Sequence, residues 1–437
     1  MKAKALLLFV LFACASTACS FGQVNCASSK DLVCEFPVSA TTLAANTVGN
    51  ASGSFGTVFQ LAETASRPFN ASIATQLTQL PISSSSVGTV YIHKKGSDAP
   101  VPFDNLGPIL TDRPDTVGRR NFFLGFSYQH FNFNSLDGVS MGALPAGFTF
   151  SQQSSTNPSD IQTFYGTESN NVTFKLDQYV GVLTFGLAKK TDVSVVVPIN
   201  SVSLAATANN FQAYVYDSVT QTYTNLSPAA STHVNFTGTA NGIGDIILNV
   251  KQLLIGGEGS RAAIAAGASV RIPSGDALNY LGSGAVGANA YGLFEYRKQF
   301  APHLKVSYQW NGNSQVMNLQ AVPNTTLPGG LQYDAGADFK VKRSLTLAGD
   351  LLGNQFVNTP SFIETTPTLS SGVGSPQQGS IKFATALNNS YTTVNLSGGV
   401  KLYLGKGLLI YGNALKQMND VGLRSNIVPL VGIAFKK

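Results

Sequence analysis

The sequence predicts an all-β protein, a closed antiparallel transmembrane β-barrel of about 12 strands with an N-terminal pre-barrel segment. Three observations carry this. Charged residues make up 11% of the 437-residue chain, hydrophobic residues only 43%, and Gly reaches 43 residues. Soluble proteins carry ~25% charged residues, and no stretch past the N-terminus reaches the ~18 uninterrupted apolar residues of a spanning helix. Second, LQYDAGADFKVK (331–342) alternates at period two, which in a strand sends successive side chains to opposite faces. Third, tight and long connections alternate along the chain. All the tight turns therefore lie at one end of the barrel and the long loops at the other, as in outer-membrane barrels. A secreted β-sandwich has no reason to sort its loops this way.

The elements follow in chain order. MKAKALLLFVLFACASTA (1–18) has a basic start, an apolar run and small residues before the cleavage site, which is the pattern of a secretory signal peptide. Cys19 as a lipidated N-terminus is the alternative reading of the cleavage region. Of the four cysteines, Cys26 and Cys34 remain in the mature chain within VNCASSKDLVCEF, and in an exported protein they are expected to close a small disulfide loop. Residues 19–110 are Ser/Ala/Thr-rich and Pro-punctuated. They read as a periplasmic extension or a plug within the lumen, with a short hairpin through IATQLTQLP and GTVYIHKK. Residues 111–437 read as the barrel.

Strand patterns recur at 121–133, 171–187, 192–204, 242–254, 261–272, 286–300, 303–310, 331–342, the stretch after the Arg343–Ser344 turn, 392–404, 407–418 and 426–435. The turns AKKT, GGEGS, AP and LGKG are short, whereas 134–170, 205–241, 273–285, 311–330 and 355–391 are long. In 331–342, Leu331, Tyr333, Ala335, Ala337, Phe339 and Val341 are expected to face lipid. Gln332, Asp334, Gly336, Asp338, Lys340 and Lys342 then face an aqueous interior. The same split puts Ile264, Val270 and Ile272 outside with Arg261 and Arg271 inside, and Phe294 outside with Asn289, Tyr291, Glu295 and Arg297 inside. Lys or Arg turned into lipid would cost ~2–4 kcal/mol at the midplane, so the register is strongly determined. Tyr308 and Trp310, close to a strand end, are expected in an interfacial aromatic girdle.

Together, LTDRPDTVGRRNFFLGFSYQ (110–129), NGIGDIILNVKQLL (241–254), SVRIPSGDALNYLGSGAVGANAYGLFEY (269–296), the 331–351 stretch and GLRSNIVPLVGIAF (422–435) resemble a known group. It is the bacterial outer-membrane β-barrel family named for the meta-cleavage pathway of phenol degradation, described as transporters. The resemblance implies a bacterial cell outer-membrane location and passage of small molecules of the hydrophobic or aromatic class.

Catalytic chemistry is not expected. Four His (His93, His130, His233, His303) are scattered without metal-ligand spacing. IPSGDAL lacks the glycines of a nucleophile elbow, and GIGDI has no following helix to make a dinucleotide site. Asp334 and Asp338 share a face with Lys340 and Lys342, which reads as a charge-neutralised network rather than an acid/base pair. No basic run accompanies the net charge of +6, so nucleic acid is not an expected partner. No enzyme activity, cofactor or metal is expected; the partners are outer-membrane lipid, a small-molecule solute and the barrel-assembly machinery. The leading function is an outer-membrane channel or transporter for small, hydrophobic or aromatic molecules; the alternative is a structural or adhesive surface protein with long loops and a closed lumen. The residues expected to line the lumen are Lys175, Asp177, Asp245, Lys251, Arg271, Glu295, Arg297, Asp334, Asp338, Lys340, Asp350 and Lys401, joined in cross-strand salt bridges.

Overall fold

The computed structural model describes residues 30–35, 68–82, 91–93, 100–102, 106–154, 159–227, 233–256, 260–317 and 326–436. Twelve antiparallel strands form one closed ring: β1 (Phe122–Leu136), β2 (Ile161–Ala188), β3 (Thr191–Asp217), β4 (Val234–Ile243 and Ile246–Ile255), β5 (Ala262–Ile272), β6 (Gly287–Tyr296), β7 (Phe300–Asn311), β8 (Gly330–Lys342), β9 (Leu345–Thr365), β10 (Phe383–Gly405), β11 (Leu408–Gln417) and β12 (Ile427–Lys436). Each strand pairs with the next, and β12 closes on β1 from Leu430↔Gln129 to Lys436↔Phe123. Closure leaves no sheet edge exposed, the condition for a sheet to cross lipid. β4 breaks at Gly244–Asp245 while both halves stay on β3.

Two residues join β2 to β3, β8 to β9 and β10 to β11; the opposite end carries the long connections. Four strands outgrow a bilayer. β2, β3, β9 and β10 have 28, 27, 21 and 23 residues, against ~9–11 needed to span. Their extensions, with the short strand Leu144–Gln153 on β2, build a canopy on the long-loop side with its own aromatic core. Phe150 stacks on Phe164 at 4.6 Å and Phe148 on Phe211 at 6.2 Å.

The outward face is a belt of apolar side chains, including Phe126, Leu183, Ile264, Leu304, Phe339, Leu351, Val400 and Ile433. An apolar surface on this scale marks a face covered by a membrane or a partner, and a belt running right round a closed ring fits lipid. Tyr308 and Trp310 face outward near the long-loop end of β7, their rings 4.6 Å apart. No helix among the described residues is long and apolar enough to cross a membrane; the strands do so. The closed ring with its apolar belt is a transmembrane β-barrel.

Inside the ring lie pieces of the N-terminal segment. A helix occupies 68–77 and an extended stretch runs through 106–117. Pro68 supplies a fixed φ at the helix start, and Phe69, Ile73 and Leu77 recur at the i, i+4 spacing of one helical face. Phe69, Asn70, Ala71, Ile73 and Ala74 are all buried, so the helix is enclosed on every side. The expected hairpin through IATQLTQLP is therefore corrected: 73–77 is helical, and Tyr91–His93 pairs instead with Pro100–Pro102. Cys34 is buried. Cys26, its expected partner, and residues 1–29, including the expected signal peptide and Cys19, lie outside the described residues.

Candidate solute path in the lumen

Nine residues expected to line the lumen point inward and are buried: Asp245, Lys251, Arg271, Glu295, Arg297, Asp334, Asp338, Asp350 and Lys401. Lys340 shares their parity near the tight-turn end and is half-buried. Lys175 and Asp177 are on the other side. On β2 the even positions Val172, Phe174, Leu176 and Val180 are buried, while Lys175 is exposed and Asp177 half-exposed on the outer face. The inner face of β2 is apolar because the helix packs on it, with Phe69 edge-on to Phe174 at 6.5 Å. Arg261 is also corrected; it sits exposed at a turn.

At the tight-turn end, residues 106–117 cross the ring and are tied to its wall. Arg113 meets Glu295 of β6 at 2.9 Å and Asp115 at 3.3 Å. Arg297 pairs with Asp115 and lies 3.7 Å from Glu295. Lys251 of β4 donates to the Arg113 carbonyl at 2.8 Å. Lys401 of β10 donates to the carbonyls of Leu106 and Pro108. The Leu106 amide donates to Thr346 Oγ1 at 3.1 Å, and the Val117 amide to Asp192 at 2.9 Å. Strands on all sides thus hold one stretch of backbone. Buried charges require partners of this kind, because an unpaired one carries the full desolvation cost.

Beside this crossing, His303 of β7 lies between Asp350 of β9 at 2.6 Å and Asp338 of β8 at 3.5 Å. Thr111 Oγ1 donates to the same Asp350 oxygen at 3.4 Å. His303 and Asp350 flank Gly336 in register, so the bond passes over a position with no side chain. Tyr291 uses the same device. It lies opposite Gly267 of β5 and reaches over it to donate to Asn249 of β4 at 2.8 Å.

Nearer the long loops, the stretch after the helix is held by its carbonyls. Arg271 and Gln309 donate to Thr78 O at 3.2 and 3.3 Å, and Gln129 to Pro81 O at 2.8 Å. Tyr280, from the β5–β6 loop, donates to Asn70. Arg271 Nε is 3.6 Å from Asp245, whose other bonds come from Ser283 and Gly275.

Between the two inserted stretches lies a cavity of about 220 Å³. One wall carries the apolar groups Phe131, Phe133, Val196, Ile247, Leu352 and Leu415, with Asn354, Thr393 and Asn395 among them; the other is polar, with Asn249, Asn289, Gln309, Gln332, Arg271, Lys305 and Asp334. Phe131 and Phe133 stack at 5.8 Å with ring planes 9° apart. Lys305 bridges the polar wall, 3.6 Å from Asp334 and 5.9 Å from the Tyr291 ring centre. An engineered cavity of ~150 Å³ holds benzene, so this one has room for a one-ring molecule. Among the described residues no cluster of His, Cys, Asp or Glu could hold a metal.

Sequence reasoning missed Arg113, Asp115, Asp192, His303 and Lys305. Arg113 and Asp115 lie before the first strand, where no alternation exists to assign a face. His303 and Lys305 carried a signal, since both share the inward parity of Ser307 on β7.

No family model matches the chain, and no curated protein matches it. Among solved structures, an outer-membrane channel from Pseudomonas putida F1 is 11% identical, with 74% of this chain and 98% of that chain covered and a TM-score of 0.39. The P. putida toluene transporter TodX is 9% identical over 72% of this chain and 89% of its own, with a TM-score of 0.32. A Pseudomonas aeruginosa FadL homologue is 10% identical over 74% and 91%, with a TM-score of 0.30.

Proposed function

We propose that this barrel is an outer-membrane channel for small, hydrophobic or aromatic solutes, closed in the state described by residues 68–82 and 106–117. The observation that carries the reading is the two-walled cavity, with stacked phenylalanines on one side and amides and charges on the other. A chamber in which stacked rings face converging polar groups suits a small solute that carries both a ring and a polar substituent. Asp245, Lys251, Arg271, Glu295, Arg297, Asp334, Asp338, Lys340, Asp350 and Lys401 are proposed as path-lining residues. Several of them secure the inserted backbone, so they act as its latch as well as the wall. The resemblance to the meta-cleavage-pathway barrels, the removal of residues 1–18 and a Cys26–Cys34 disulfide belong to the same proposal.

The test is solute flux into liposomes containing the purified protein, with and without residues 20–110. The full chain should pass a neutral one-ring solute slowly, and the shortened chain at least tenfold faster. No flux from either form, with both correctly folded, would favour the adhesive reading of a closed barrel bearing long loops.

A further inference from the structure

On the lipid face, β12, β1, β2 and β3 enclose a groove of about 560 Å³. Its floor is Gly181, flanked in register by Phe126 on β1 and Val197 on β3. Its sides are Ile199, Tyr179, Val431 and Ile433. The next row toward the long loops aligns Val431, Tyr128, Tyr179 and Ile199. Polarity changes just beyond it: Asp177 accepts from Tyr128 Oη at 2.6 Å and lies 2.7 Å from His130 Nδ1. Two residues further on β2, Lys175 is exposed opposite Asn132. Lys416 of β11 is exposed opposite Ile427 of β12. β12 and β1 separate the two lysines, so they stand about three strand spacings apart, roughly 14 Å. Neither takes part in an ion pair among the described residues.

We infer that this face is a binding site for a phosphorylated outer-leaflet lipid carrying two phosphates, of the lipid A class. One acyl chain lies along the groove over Gly181, and the phosphates bridge Lys175 and Lys416. The order of parts is that of a lipid: apolar groove, then tyrosines at the boundary, then cations. Gly181 lies six residues from Lys175, roughly 20 Å along the tilted strand, which is the reach of a headgroup and much of a chain. The Asp177 carboxylate, two residues from Lys175 on the same face, is already bonded to Tyr128 and His130. Single-chain lipids and zwitterionic headgroups match the groove but not the paired cations.

The experiment is native mass spectrometry of the detergent-solubilised full chain titrated with lipid A, phosphatidylglycerol or phosphatidylcholine. Wild type should retain lipid A at least tenfold better than phosphatidylcholine. The K175E/K416E pair should lose that preference. Gly181→Leu, whose Cβ meets only ordinary contacts with Phe126 and the Val197 carbonyl, should weaken retention of every lipid while the compact unheated gel band is kept. Equal retention of lipid A and phosphatidylcholine by wild type, or unchanged preference in the folded double variant, overturns the assignment. Displacement of lipid by a one-ring hydrophobic solute at micromolar concentration would also overturn it, by making the groove a solute exit.

Discussion

At Gly336 any side chain would collide with Asp350 Oδ1 and with His303 Nε2, so the bond between these residues depends on a position that contributes no atoms to it. Gly336→Ala should separate the pair and leave buried acceptors unsatisfied, costing about 1–3 kcal/mol. Gly349→Ala on the neighbouring strand, where a Cβ meets only the Ser397 carbonyl at 3.8 Å, should cost nearly nothing. Comparing the temperatures at which the two variants lose their compact gel band checks this. Glu168 makes a second residue-scale case, in the canopy beyond the bilayer. It lies at a register shift in β2, and Asn170 donates to one carboxyl oxygen at 3.1 Å. Burial pushes its carboxyl up to about 7. A raised carboxyl favours the protonated form in the folded canopy. Local stability is therefore full below the ordinary value near 4.5 and falls as pH rises toward and through 7. The full effect is roughly 3 kcal/mol. Amide exchange over 161–170, corrected for intrinsic rates, should be faster at pH 8 than at pH 5, and Glu168→Gln should remove most of the difference.

Among the elements, β8 and β2 show how far alternation can be trusted. On β8, Leu331, Phe339 and Val341 face out while Asp334 and Asp338 are buried, because lipid lies outside and polar atoms lie within. β2 has the same period but inverted polarity, since its inner face packs on a helix that precedes the barrel in sequence. Alternation alone cannot say what fills the lumen, so Lys175 and Asp177 were assigned to the wrong side. A cysteine replacing Lys175 should react with a membrane-impermeant maleimide on intact cells, whereas one replacing buried Lys401 should not. The inserted stretch 106–117 was equally illegible, having no periodicity to read, yet it holds the densest ion pairs. Removing one partner of a buried pair costs about 3–5 kcal/mol, because the other charge is stranded. Arg113→Ala should therefore loosen the crossing, seen as faster protease cleavage near residue 113 with the barrel band intact.

Over the whole molecule, the strand count, the ring closure and the sorting of turns from loops were all legible, because they follow from period and spacing. The length of β2, β3, β9 and β10 beyond the bilayer was not, since their outer halves are Thr-, Asn- and Tyr-rich and resemble loop. We propose that solutes cross through the lumen and that residues 106–117 close it, so tethering that stretch to the wall should stop the flux. Cysteines replacing Leu106 and Thr346, whose backbone amide and hydroxyl are 3.1 Å apart, would join the inserted stretch to β9. Solute flux through liposomes should vanish in the oxidised protein and return at least tenfold on reduction. Equal flux in the oxidised and reduced forms would contradict the account, because the solute would then be crossing by a route this stretch does not close.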